Sequence, residues 1–120
     1  MLADKASDVC GVEPQSAVRE ELSREGYKMY EDLASTADNY FDVVTLFHVF
    51  EHVVDPLETL QLISSKLAAG GQLIIEIPHA NDFLLTFLNV EAFKKFTFWS
   101  EHLILHTRNS LEILLRTAGF

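Results

Sequence analysis

Short apolar runs alternate with segments of helical period along the chain, a pattern that predicts an α/β fold. Asp8-Val9-Cys10-Gly11-Val12 is a short strand that should stop at Glu13-Pro14, because proline cannot donate to a ladder. Ser16 to Glu25 follows as a helix with Val18 and Leu22 on one face and Gly26 as its stop. Tyr27 to Tyr30 is a second strand. Phe41 to Phe47 is a third, and its almost unbroken apolar, β-branched run suits a strand covered on both faces. Asp55-Pro56-Leu57-Glu58 opens a helix, with Asp55 as cap, Pro56 in the first turn and Glu58 reaching back.

Leu57, Leu60, Ile63 and Leu67 form the stripe of that helix, and Gly70-Gly71 should end it. Gln72 to Pro78 is a fourth strand. The path from Phe47 to Leu73 contains a full helix and predicts a right-handed parallel crossover. Met29 to Phe41 offers only a short or irregular bridge. One or two short helices fit the aromatic stretch that holds Phe83, Phe87, Phe93, Phe96, Phe98 and Trp99. Asn109 is the expected cap of a last helix, with Glu112 three residues on, the face Leu111, Leu114, Leu115 and Ala118, and Gly119 as its stop.

Composition narrows the function classes. The 120 residues support one small domain, and 48% hydrophobic against 22% charged residues is a globular balance. A net charge of −9 argues against a nucleic-acid backbone as partner. Residues 1–55 carry twelve acidic and four basic side chains, against six and five in residues 56–120; the acidic half reads as a solvated face. No apolar run approaches the ~18 residues of a membrane span, and no signal-peptide core opens the chain. One cysteine, Cys10, excludes an internal disulfide and a cysteine-based zinc site, and fits a reducing, cytoplasmic setting; it reads as a small buried hydrophobe. His48 and His52 lie four apart with Glu51 between them, and on a helix they would share a metal. The H-E-x-x-H order and a third ligand are missing, however, so no metal site is assigned.

Four stretches in order carry a family likeness. They are Gly11-Val12-Glu13-Pro14; Phe41-Asp42-Val43-Val44 through Phe47-His48-Val49-Phe50-Glu51-His52-Val53 to Asp55-Pro56; Leu67-Ala68-Ala69-Gly70-Gly71-Gln72 through Ile77-Pro78; and Glu101-His102-Leu103 through Ser110-Leu111 to Ala118-Gly119-Phe120. Together, from about Asp8 to Phe120, they resemble a class I S-adenosylmethionine-dependent methyltransferase. The chain departs from that family in having no G-x-G loop. The resemblance therefore implies a single partial methyltransferase domain over residues 1–120, which starts after that loop and lacks the last two strands of the sheet. The implied fold is three-layered and Rossmann-like, with a partial, mostly parallel sheet of about four strands flanked by helices.

The resemblance also implies roles. Glu13, at a strand end, would accept hydrogen bonds from the ribose hydroxyls of S-adenosylmethionine; otherwise it is an acidic residue favoured at a helix start. Asp32 and Leu33 would frame the adenine. Phe47 and His48 leave the C-terminal end of the strongest strand and would line the cofactor. His79 and Trp99 are the substrate-side candidates, with His79 alternatively an exposed loop residue. His102, in a Glu-His pair, would act as general base, or else pack beside Trp99 with a local hydrogen bond.

Two functions stay open at this point. One is methyl transfer to a small-molecule acceptor. The other is a non-catalytic methyltransferase-like remnant serving as an interaction module. With the first family strand missing, its two neighbours either pair directly, in the family order 3-2-4-5, or expose edges through which the chain forms a homodimer or otherwise self-associates. No nucleic acid and no membrane is expected as partner.

Overall fold

Two parallel strand pairs organise the chain, one in each of two units that divide between Ala37 and Asp38. The computed structural model describes residues 6–98 and 102–120.

In the first unit, β1 (Cys10–Val12) pairs in parallel with β2 (Lys28–Tyr30), in the register Cys10↔Lys28, Gly11↔Met29, Val12↔Tyr30. Parallel neighbours need a crossover, and α1 (Ser16–Arg24) supplies it. Gly26, at φ +97°, turns the chain out of α1, a conformation that a side chain would strain. The ladder continues past β1 through Glu13 N–H to the Tyr30 carbonyl at 2.9 Å. Arg19 holds the turn into α1 by donating to the carbonyls of Glu13 (2.8 Å) and Pro14 (3.0 Å). Cys10 is half-buried rather than fully buried, because a three-residue strand with one neighbour covers only part of it.

In the second unit, β3 (Phe41–Phe47) pairs in parallel with β4 (Leu67–Glu76) across α2 (Pro56–Lys66). Asp55 caps α2 by accepting the Glu58 N–H at 2.9 Å, as the sequence predicts. The helix ends at Lys66, however, and not at Gly70-Gly71. Asn39 and Tyr40 donate to the Ser65 and Lys66 carbonyls at 2.9 Å each, and Leu67 has already turned into extended backbone to pair with Phe41. Capping from a neighbouring strand thus terminates the helix early. The two glycines instead serve a register shift between Phe41 and Val43. Gly70 has φ +81°, and a Cβ on Gly71 would lie 2.8 Å from the Phe41 carbonyl oxygen.

Four strands are found, as expected, and among the described residues they form two pairs, β1 with β2 in the first unit and β3 with β4 in the second. β3 is not covered on both faces. Val43 and Phe47 are exposed, with Ile74 beside Thr45 on the same face. The opposite face turns inward.

Phe50, Leu60, Ile63, Leu67 and Leu85 make the buried apolar core. α2 packs along the last helix, α5 (Arg108–Ala118). Thr107, not Asn109, caps α5: its hydroxyl accepts the Ser110 N–H at 3.1 Å, while Ser110 Oγ accepts the Thr107 N–H at 2.9 Å. Gly119 ends the helix in the left-handed conformation, φ +99°. The aromatic stretch gives α3 (Phe83–Thr86) and α4 (Glu91–Thr97), while residues 31–40 form an irregular bridge without a helix. No helix among the described residues is long and apolar enough to cross a membrane.

Candidate functional site

The C-terminal ends of parallel strands are where open α/β sheets receive ligands. In the first unit, Glu13 follows β1 directly and is half-buried. Its Oε1 accepts the Gln15 N–H at 2.7 Å, which orients the carboxylate, and no partner is seen for the second oxygen among the described residues. Asp32 follows β2. Its Oδ1 accepts both the N–H and the hydroxyl of Ser35 at 2.7 Å, which closes an Asx turn. The turn presents Leu33 half-buried, its carbonyl taken by the Thr36 hydroxyl at 2.7 Å.

In the second unit, β3 ends at Phe47, which is half-exposed. His48 takes φ +54°, unusual for a residue with a side chain, while its N–H still bonds the Glu76 carbonyl at 2.9 Å. The chain then enters a 3₁₀ turn at Phe50–His52. His48 and His52 therefore do not share an α-helical face. Glu51 connects them instead, with its Oε1 3.5 Å from His48 Nδ1 and 4.0 Å from His52 Nε2. His48 Nε2 in turn lies 3.2 Å from Glu76 Oε1.

Glu51 is the unexpected feature. Its side chain is 1% exposed, and among the described residues neither carboxylate oxygen has a hydrogen-bond partner. A sequence reading sees an acidic residue between two histidines and has no sign that it is buried. The segment after α4 brings two more imidazoles to this region. His102 stacks at a tilt on His52, ring centroids 4.9 Å apart, and its Nδ1 is 2.8 Å from the Thr97 carbonyl. His106 is buried against the Phe50 ring, and its Nε2 has no hydrogen-bond partner among the described residues. Burial pushes the His106 imidazole below its ordinary pKa, and the charge of Glu51 opposes the shift. Sequence reasoning missed His106: its spacing of four from His102 means nothing in a segment that is not helical.

His79 is placed as a tether. One ring nitrogen faces the Asn81 N–H at 3.1 Å and the other the Arg108 N–H at 3.2 Å, and a neutral ring can accept only one of them at a time. With the His79↔His106 bridge and the Ala80 N–H to His106 carbonyl bond of 2.9 Å, it ties the end of β4 to the start of α5. Trp99 lies outside the described residues.

Parallel strands joined by helical crossovers define an α/β protein of the Rossmann-like class. More specifically, the chain belongs to the methyltransferase-domain family, whose profile matches residues 1–120. It is similar to a SAM-dependent methyltransferase from Thermotoga maritima, described as a possible histamine N-methyltransferase. The match has 26% identity and a TM-score of 0.72, and it covers 92% of this chain. It covers 54% of that protein, so the chain spans about half its length. Among curated proteins no match is found.

The donor set present fits the nucleoside half of S-adenosylmethionine. Glu13 offers an oriented acceptor to vicinal hydroxyls, and the Asp32–Leu33 turn offers an acid beside an apolar side chain. For the methionine half there is no G-x-G loop anywhere in the chain.

Proposed function

We propose that this chain carries the nucleoside-binding portion of a methyltransferase that moves a methyl group from S-adenosylmethionine to a small-molecule acceptor. The observation behind this reading is Glu13. In a chain of the methyltransferase-domain family, it stands at a parallel strand end with one carboxylate oxygen fixed by the Gln15 N–H.

S-adenosylmethionine, when bound, supplies an already reactive methyl sulfonium. The protein then has to bind and align rather than activate the donor. Glu13 accepts from the ribose hydroxyls. Asp32 and Leu33 hold the adenine between a carboxylate and an apolar wall. Phe47 and His48, at the end of β3, contribute an apolar contact and a polar ring. In the metal-free chain, a base role for His102 would run through Nε2, because Nδ1 is committed to Thr97. His79, with both nitrogens facing main-chain N–H groups, offers its ring face rather than its nitrogens to an acceptor. The possible histamine N-methyltransferase described for the Thermotoga protein makes a small amine a natural first acceptor to assay.

Calorimetric titration with S-adenosylhomocysteine tests the proposal. Micromolar binding is expected, with Glu13→Ala abolishing it. Absence of binding at millimolar ligand would overturn it and leave the interaction-module reading. Self-association through strand edges belongs to the same proposal; among the described residues each strand has only one neighbour, and the exposed face with Val43, Phe47 and Ile74 adds apolar surface beside such an edge. A strictly monomeric species in concentrated solution by light scattering would remove it.

A further inference from the structure

We propose that Glu51, His52 and His102 form a binding site for a divalent first-row transition metal, with zinc as the natural probe. The sequence offered His48 and His52 as a possible pair, with no clear third ligand in reach. The fold supplies that ligand from fifty residues away. One donor atom from each of the three side chains lies within 4.8 Å of the other two.

Three independent features mark the cluster as built. First, the Glu51 carboxylate is 1% exposed and, among the described residues, neither oxygen has a hydrogen-bond partner, with His48 Nδ1 3.5 Å from Oε1. Buried carboxylates are ordinarily paired or bound to a metal, so this group needs a positive partner. Second, the His102 ring is held by the main chain: its Nδ1 donates to the Thr97 carbonyl at 2.8 Å. A main-chain acceptor behind the ligating imidazole is the usual outer support of such a site. Third, the two segments that carry the ligands are fastened together. The Glu51 carbonyl accepts the N–H groups of Leu103 (2.9 Å) and Ile104 (3.2 Å), directly after His102.

The geometry is close to that of a filled site. Metal–ligand bonds of about 2.1 Å put tetrahedral ligands about 3.4 Å apart. Glu51 Oε1 and His52 Nε2 are 4.0 Å apart and all three donors lie within 4.8 Å of one another, so filling the site takes a contraction of the ligand set. His48, between Glu51 and Glu76, acts from outside the ligand set to position the carboxylate. Two imidazoles, one carboxylate and an open fourth position suit a borderline metal better than the all-oxygen shells of calcium or magnesium. The open position takes a water or an oxygen or nitrogen of a small molecule.

The inference does not rest on cofactor binding, and its test uses zinc alone. The metal-free 120-residue chain, titrated calorimetrically with zinc, is expected to bind one equivalent. His102→Ala and Glu51→Gln should each weaken binding by about tenfold or more, whereas His79→Ala should leave it unchanged. The wild-type chain gives a second readout that needs no variant to fold. Zinc should protect His52 and His102 from carbethoxylation, mapped by peptide mass spectrometry, and leave His79 reactive. No heat at submillimolar zinc, undiminished affinity in His102→Ala, or protection that omits His52 and His102 would each overturn the assignment.

Discussion

Glu51→Met should make the metal-free chain more stable. The side chain is 1% exposed, among the described residues its two oxygens have no hydrogen-bond donor, and His48 Nδ1 and His52 Nε2 lie 3.5 Å and 4.0 Å from Oε1. A buried polar atom without a partner costs about 1–3 kcal/mol, and more when charged. Replacing buried charges with apolar side chains of similar volume has stabilised proteins by about 1–4 kcal/mol. Methionine suits the space, because it is unbranched and adapts to an irregular cavity. The main-chain bonds from Glu51 to Leu103 and Ile104 do not involve the side chain and should survive. A gain of about 2 kcal/mol is therefore reasonable. For 120 residues, an unfolding entropy of about 0.25 kcal/mol/K converts that gain into a Tm rise of about 8 °C. Circular-dichroism melts of wild type and variant in excess chelator measure it. Zinc should raise the wild-type Tm and leave the variant where it is. An unchanged or lower Tm for Glu51→Met in chelator would refute the reasoning, since the carboxylate would then contribute to folding rather than burden it.

The remaining expectations concern the scaffold. Gly71→Ala should destabilise by about 1–3 kcal/mol, because its Cβ meets the main-chain oxygens of Phe41 (2.8 Å) and Ala68 (3.0 Å), whereas Gly11→Ala meets only the flexible tip of Met29 and should cost less. Denaturant titration that ranks them the other way would show the bulge to be more compliant than its geometry indicates. Thr107→Ala should cost about 1 kcal/mol through the lost cap, and Asn109→Ala should be nearly neutral in the same experiment. Stability should fall as pH drops below about 6.5, the ordinary histidine value, because the folded chain holds His106 at a lowered pKa and the unfolded chain takes up the proton first. His106→Phe should flatten that slope, and an unaltered slope would assign it to other groups.

Local signals made most of the elements legible. Pro14, Gly26, the Asp55-Pro56 start and Gly119 mark ends that chain chemistry alone sets, and all four hold in the structure. Local reasoning failed where a distant segment intervened. The end of α2 belongs to Lys66 because Asn39 and Tyr40 cap it from before β3. The start of α5 belongs to Thr107 because a reciprocal Ser110 bond outcompetes the later Asn109. β3 reads as fully buried from its composition, yet one face is open, since composition does not say how many neighbours a strand has.

By itself, then, the sequence determined the α/β class, the parallel crossovers and the acids at the strand ends, because helix periods, proline and glycine act over a few residues. It also placed Glu51 between two histidines. Only the tertiary structure decided that Glu51 is buried without a hydrogen-bond partner, that His102 reaches it with its proton fixed by Thr97, and that His79 is held between main-chain groups. Those outcomes depend on which segments close against each other across fifty residues, and no local pattern encodes the desolvation or the distances that such closure imposes.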